Sequence, residues 1–337
     1  MRNPIALFLL VVCTAALLPA ARTLDFYFVD VEGGQATLIV TPSGQSLLVD
    51  AGWRGYDGRD ATRIVAAAKA AGVKKIDYLL VTHYHLDHVG GVPQLAERMP
   101  VVTFVDKGPL QEQGRQAGEL FKAYEEAIAK GKRIIVKPGD TLPVKGLDIQ
   151  FVCADGDLVS VPLKGAGQPN DLCGSEKEKP VDTSENARSA GFLLTYGKFK
   201  FLDLGDLTWN KELQLACPSN KIGTIDLYCV THHGMDLSGS ATIVHALKPA
   251  VAIMDNGARK GGSPSAWQII RSSPGLEDLW QLHYSIAGGK DNNSPEAFLA
   301  NLEEKCEGKW IKVSVEKNGA YTVLNSRNKF SKTYQAK

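Results

Sequence analysis

The sequence predicts a mixed α/β (α+β) fold built from two similar halves. Short apolar runs alternate with Gly- and Pro-containing turns, and segments with apolar residues at helical spacing lie between them. The two halves share a strand ending, Val81-Thr82-His83 in the first and Val230-Thr231-His232 in the second. The composition, 44% hydrophobic and 22% charged over 337 residues, is that of a globular chain long enough for a large core.

The elements follow in order. Leu24 to Val31 and Ala36 to Val40 read as strands around the Gly33-Gly34 turn. Ser46 to Val49 is a third, after Thr41-Pro42-Ser43-Gly44, and the trio reads as an antiparallel sheet edge. Asp60 is placed to cap a helix over Ala61 to Ala71, which Gly72 ends. Ile76 to Val81 is a compact strand, Thr82 to Gly91 a loop, and Pro93 to Arg98 the start of a helix. In the second half, Gly191 to Tyr196 and Phe199 to Leu204 form a hairpin around Gly197-Lys198. A helix over Trp209 to Leu215, a strand from Ile225 to Val230, a helix over Ile243 to Leu247 and a strand from Pro249 to Met254 complete the pattern. Residues 154–185, rich in Gly, Pro, Asp, Lys and Ser, have no periodicity and read as a loop insertion near the mouth of a site.

Residues 1–21 read as a signal peptide, with Arg2 before an apolar run from Ile5 to Leu18 and the small residues Pro19-Ala20-Ala21 after it. The chain, a single domain over 22–337, is therefore expected to be exported, periplasmic or secreted, with no transmembrane segment after cleavage. Loss of 1–21 removes Arg2 and leaves equal numbers of basic and acidic residues. That balance carries no strong nucleic-acid-binding signal. An oxidising compartment permits disulfides, and Cys153–Cys173 and Cys217–Cys306 are plausible pairs, with Cys229 a buried free thiol. No CxxC or local Cys/His cluster is present, which argues against a thiolate zinc site.

Chemistry concentrates in Thr82-His83-Tyr84-His85-Leu86-Asp87-His88-Val89-Gly90-Gly91. Three of the seven histidines and an aspartate lie within six residues, after a strand and before a glycine pair. A loop at a strand's C-terminal edge can turn such side chains toward one point. Imidazoles and a carboxylate are the donors that zinc and similar divalent ions take. His245, His283, Trp267, Trp280 and Trp310 read as packing or surface residues.

The segment resembles the HxHxDH signature of the metallo-β-lactamase superfamily. Asp30-Val31-Glu32-Gly33-Gly34-Gln35-Ala36, Leu48-Val49-Asp50-Ala51-Gly52, Gly205-Asp206 and His232-His233-Gly234 resemble motifs of its ComEC-type branch, which contains the competence DNA-uptake protein. The resemblance spans about Leu24 to Asn256 and implies a four-layer αβ/βα sandwich. It implies two metal ions, zinc with Mn2+ or Fe2+ as alternatives. His83 and His85 would serve the first, Asp87, His88 and His232 the second, and Asp206 both. It further implies that Asp50 orients the first metal's histidines, that Asp87 orients the nucleophile, and that His233 and Ser238 polarise substrate or hold structure. There are two departures: no histidine occurs between His88 and His232, where Asn186 or Ser189 stands in the stretch that usually supplies a third ligand, and Gln35 replaces an acidic residue.

These features imply an exported hydrolase using a metal-bound hydroxide on phosphodiester or ester/lactone bonds of a small-molecule or nucleotide-type substrate. A non-catalytic metal-binding protein on the same scaffold, or a β-lactam hydrolase, are the alternatives. Oligomeric state is not readable from the sequence.

Overall fold

The computed structural model describes residues 23–129 and 131–337, so the expected signal peptide lies outside the described residues. The first half contains β1 (Leu24–Phe28), β2 (Thr37–Val40), β3 (Ser46–Val49), α1 (Arg59–Ala70) and β4 (Ile76–Leu80). After these come α2 (Leu86–Val89), α3 (Val92–Arg98), β5 (Val101–Asp106), α4 (Arg115–Ile128) and β6 (Lys132–Ile135). The second half opens with β7 (Asp148–Ala154), β8 (Asp157–Leu158), β9 (Gly191–Tyr196), β10 (Phe199–Asp203), α5 (Trp209–Ala216) and β11 (Leu227–Cys229). It closes with α6 (Ala241–Leu247), β12 (Val251–Met254), α7 (Pro264–Arg271), β13 (Asp278–His283), β14 (Leu299–Asn301), β15 (Ile311–Val315), β16 (Ala320–Asn325) and β17 (Ser331–Gln335).

Two sheets result. One has the order β17-β16-β15-β1-β2-β3-β4-β5-β6, the other β14-β13-β12-β11-β10-β9-β7-β8. In each, antiparallel pairing gives way to parallel pairing, from β3 to β6 and from β10 to β14. The side-chain alternation of a strand sorts residues between layers. Leu24, Phe26 and Phe28 enter a core between the sheets with Phe151, Phe192, Phe199 and Phe201, while Tyr27 and Val29 face helices on the other side. Helices α1, α3 and α4 pack on the first sheet, and α5, α6 and α7 on the second. The architecture is helices, sheet, sheet, helices: the αβ/βα sandwich.

Four expectations change. The β1–β3 segment is not a sheet edge, because β15 pairs antiparallel with β1 and buries it centrally. Asp60 does not cap α1; the helix starts at Arg59, and the buried Asp60 carboxylate accepts from Trp53 N at 2.8 Å and from Arg59 Nε at 2.6 Å. The disulfide is Cys173–Cys217, which replaces both expected pairs. The reason is the path of the insertion, which folds back onto the end of α5: Leu163 N donates to Lys221 O at 2.8 Å, and Asn170 Nδ2 to Ala216 O at 3.2 Å. Cys153 is left buried in β7, Cys306 partly buried elsewhere, and Cys229 is a buried free thiol. Only the tail of the insertion borders the site. There the Glu185 carboxylate accepts from Gln111 N at 3.1 Å, while Glu185 N donates to Glu112 Oε2 at 3.1 Å.

Candidate metal centre

The parallel strands of both sheets end at one place. Asp50 follows β3, Thr82 and His83 follow β4, Asp206 follows β10, His232 and His233 follow β11, and Asp255 follows β12. Ligands collect at the carboxyl ends of parallel strands because side chains from several strands converge there on loops the rigid sheet holds in place. His83, His88, Asp206, His232 and His233 are all buried.

Close backbone approaches fix the HxHxDH loop. Gly91 lies against Ala51 O and Gly34 against Asp87 O, so a side chain at either position would displace the loop. Gln35 N donates to Asp87 O at 3.2 Å, and Ala51 N to His88 O at 2.9 Å. On the second sheet, His232 and His233 both adopt positive φ, 56° and 55°. That conformation costs about 1–3 kcal/mol per residue and persists only where the surroundings impose it. Here His232 N donates to Gly205 O at 3.0 Å, and Gly262 N to His233 O at 2.9 Å. The effect is to send two consecutive rings into two halves of one site.

In one half, His83 Nε2 lies 3.2 Å from His85 Nδ1 and 3.8 Å from Asp206 Oδ2. His232 Nε2 lies 3.4 Å from the same Asp206 oxygen and 3.4 Å from Asn186 Nδ2. In the other half, His88 Nε2 is 3.1 Å from His233 Nε2, 3.2 Å from Asp87 Oδ2 and 3.2 Å from Asp206 Oδ2. His233 Nε2 completes it, 3.2 Å from Asp87 Oδ2 and 3.4 Å from Asp206 Oδ1. The expectation placed His232 with Asp87 and His88 and gave His233 a substrate or structural role. His233, not His232, faces Asp87 and His88, while His232 reaches toward the stretch that lacks a histidine. Ser189 Oγ touches the outer Nδ1 of His83 at 3.4 Å, and Asn186 Oδ1 is buried without a hydrogen-bond partner.

Four of the five rings are braced by a hydrogen bond on the far nitrogen. Thr82 Oγ1 lies 3.0 Å from His83 Nδ1, Glu112 Oε2 3.0 Å from His85 Nε2, and Asp50 Oδ2 2.7 Å from His88 Nδ1. Ser238 Oγ lies 3.1 Å from His232 Nδ1; Asp255 Oδ1 stands 3.4 Å from His233 Nδ1, and neither of these two atoms has a hydrogen-bond partner. Metal-binding histidines carry such outer partners, which set the tautomer and the ring orientation. Asp50 therefore braces His88, not the His83 and His85 pair. Glu112 and Asp255 escaped the sequence reading; Asp255 offered the signal of a carboxylate just past a strand end, and Glu112 sits in a loop with none.

Electrostatics follow from this packing. Burial pushes the Asp87 carboxyl up, but His88, His233 and Lys260 outweigh it and hold it well below the usual carboxylate range. Asp206 is lowered likewise: burial opposes ionisation, and His88, His232 and His233 overcome it. Burial, reinforced by neighbouring His88, drives His83 well below the usual imidazole range. Lys260 Nζ, which pairs with Asp87 Oδ2, also donates to Gly33 O at 2.9 Å and lies 5.4 Å from the Trp53 ring centre. Beside this centre opens a cleft of about 540 Å³, lined among others by Trp53, His85, Asp87, Glu112, Arg115 and Glu185. A second cavity of about 500 Å³, bordered by Gln168, Asn170, Asn220 and His245, shares none of these residues.

Residues 29–167 match the family model described as the metallo-beta-lactamase superfamily, a stretch that contains His83 to His88 but not Asp206, His232 or His233. Among solved structures, the chain is similar to the metallo-beta-lactamase fold protein YhfI from Bacillus subtilis, at 13% identity and a TM-score of 0.45, covering 77% of this chain and 96% of that one. A metal-dependent hydrolase of Parabacteroides distasonis, described as putative, matches at 16% identity and a TM-score of 0.41, over 77% and 98%. CmlA, a diiron beta-hydroxylase from Streptomyces venezuelae, matches at 17% identity and a TM-score of 0.42, over 77% of this chain but 48% of that one. The chain thus spans about half the length of that hydroxylase. Its two facing sheets with outer helices, together with the match over 29–167, identify the fold as the αβ/βα sandwich of the metallo-beta-lactamase superfamily.

Proposed function

We propose that the chain is an exported hydrolase that works with two divalent cations, zinc being the first candidate, held between the two sheets. The observation that carries this reading is the set of five inward histidine nitrogens, four of them braced on the outer side by a hydrogen bond, arranged around Asp206. The residues fit such cations. Asp206 Oδ1 is buried with no hydrogen-bond partner, which is costly for a carboxylate unless a cation satisfies it. Asp87, His88, Asp206 and His233 each offer one donor atom within 4.8 Å of the others.

In this reading His83, His85, His232 and Asp206 would hold one cation, and Asp87, His88, His233 and Asp206 would hold the other. His232 supplies the third histidine that no residue between His88 and His232 provides. When bound, such cations lower the pKa of water and polarise a carbonyl or phosphoryl oxygen. The chain's own residues do the rest. Asp87, held ionised, orients the attacking water by hydrogen bonding. Arg115 provides positive charge toward an anionic substrate, and Trp53 gives an apolar wall.

The favoured substrate is a small or nucleotide-type phosphodiester, with an ester or lactone next. The Asp30 to Ala36 opening, similar to that of the competence DNA-uptake branch, supports the first. Export is supported by the Cys173–Cys217 disulfide, a bond at home in oxidising compartments. Among the described residues no helix is long and apolar enough to cross a membrane.

The test is turnover of a chromogenic phosphodiester, an aryl ester, a lactone and a cephalosporin by the metal-loaded protein and by Asp87→Ala. Turnover of any of them that falls at least a hundredfold in Asp87→Ala supports the hydrolase, and the substrate that is turned over names its class. A metal-loaded protein inactive on all four contradicts it and leaves a binding protein on this scaffold.

A further inference from the structure

We infer a second, separate metal site, formed by Asp30, Glu32, His283 and Cys306, that takes a single zinc-class cation. The four residues come from three parts of the chain. Asp30 and Glu32 follow β1 of the first sheet, His283 ends β13 of the second, and Cys306 lies between β14 and β15. No local spacing could have revealed it, which is why the sequence argued against a thiolate site and read His283 as packing.

Each of the four offers a donor atom within 4.8 Å of the other three. His283 Nε2 is 2.8 Å from Asp30 Oδ1 and 3.7 Å from Glu32 Oε2. Cys306 Sγ is 3.1 Å from Asp30 Oδ2, 3.4 Å from Glu32 Oε1 and 3.9 Å from His283 Nε2. A tetrahedral zinc with its usual bond lengths holds such donors about 3.3–3.6 Å apart, and the separations from His283 Nε2 to Asp30 Oδ1, Glu32 Oε2 and Cys306 Sγ, 2.8, 3.7 and 3.9 Å, bracket that span. Asp30 and His283 are fully buried, whereas Glu32 and Cys306 are partly exposed and give a cation a way in.

Arg63 makes the arrangement selective. Its Nη1 binds Asp30 Oδ2 at 2.8 Å and Glu32 Oε1 at 3.1 Å, leaving Asp30 Oδ1 and Glu32 Oε2 as the oxygens that face His283. An outer partner that holds a carboxylate by one oxygen and presents the other is the usual support of a bound metal. The charges also balance. Two carboxylates and a thiolate against one guanidinium leave a double negative charge, matched by one divalent ion. Arg59 reaches Glu32 only at 3.9 Å and is engaged with Asp60. On binding, the Cys306 thiol proton leaves to solvent and a metal–sulfur bond forms, with no change of oxidation state.

The position gives the site a purpose. It clips the two sheets together at the start of the loop 30–35, and that loop continues to Gly34 and Gln35, which contact the Asp87 main chain. The cation is structural, and it steadies the floor of the hydrolytic centre. This inference does not depend on the hydrolase reading, because the ligands proposed for the hydrolytic centre contain no sulfur.

Cobalt(II) separates the two sites. Metal-free mature protein is titrated with Co2+ and followed by absorbance, in the wild type, Asp206→Asn and Cys306→Ser. The expected result is a near-ultraviolet thiolate-to-cobalt band in the wild type and in Asp206→Asn, absent from Cys306→Ser. Saturation of the wild type without that band, or a band that persists in Cys306→Ser, overturns the site and leaves the cluster as an ion-pair network around Arg63. Should Cys306→Ser fail to fold, alkylation of the wild type decides, read by peptide mass mapping. Zn2+ is expected to slow modification of Cys306 at least tenfold, and an unchanged rate refutes the proposal.

Discussion

Asp50→Asn tests the support of the metal centre at one atom. Asp50 is fully buried, and its Oδ1 accepts from Thr82 N at 2.8 Å. Its Oδ2 accepts from Thr82 Oγ1 at 2.7 Å and from His88 Nδ1 at 2.7 Å. Asparagine keeps the shape and can keep the bond to Thr82 N, but its amide then presents N–H to His88 Nδ1. Two donors cannot face each other, so His88 moves its proton to Nε2, the atom directed at Asp87, Asp206 and His233. A protonated Nε2 cannot bind a cation. Loss of an outer partner of this kind costs about 10–100-fold in metal affinity, equivalent to about 1.4–2.7 kcal/mol. Chelator-competition titration measures it directly, and circular dichroism checks that the fold persists. The cation of the His88 half should be lost first, with hydrolysis falling in parallel. Unchanged affinity for both cations in a folded Asp50→Asn protein would refute the argument that His88 is a ligand oriented by Asp50.

Three further outcomes follow from the packing. Glu212 is buried, with Oε2 accepting from Gly239 N at 2.7 Å and Oε1 unpartnered, and burial pushes its carboxyl to about 8. Between the ordinary glutamate value and about 8 the folded chain holds a proton that the unfolded chain lacks, so stability falls as pH rises, by up to about 1.4 kcal/mol per unit. Asp203, pushed to about 7, contributes in the same sense, so urea unfolding of the wild type against Glu212→Gln isolates the Glu212 share as a flatter pH profile in the variant. Cys217→Ser should cost roughly 2–4 kcal/mol by releasing the insertion from α5, read as a lower unfolding midpoint that a reductant no longer shifts. Gly34→Ala places a methyl against Asp87 O and the Trp53 indole; it should lower kcat by about a hundredfold while leaving the far-ultraviolet spectrum unchanged.

How much of this was readable in the sequence depends on whether the signal was local. Strands such as Ser46–Val49 and Gly191–Tyr196 carry their periodicity within a few residues, and they appear as read. The His83 to His88 cluster was likewise visible because its spacing is short. Pairings that depend on distant segments were not readable. β15 covering β1 makes an apparent edge central, and the insertion's path decides that Cys173 meets Cys217. The roles of His232 and His233 turn on two positive φ angles that no residue type announces. Asp255 and Glu112 gain their meaning only from the histidine nitrogen each one faces.

The most direct test of the two-cation centre is metal content by elemental analysis, made in the Cys306→Ser background so that only the hydrolytic centre contributes. The account predicts two ions per chain, with His232→Ala and His233→Ala each losing a different one and Asp206→Ala losing both or nearly both. A protein that binds no metal, or one in which His232→Ala leaves both ions bound at unchanged affinity, would contradict it.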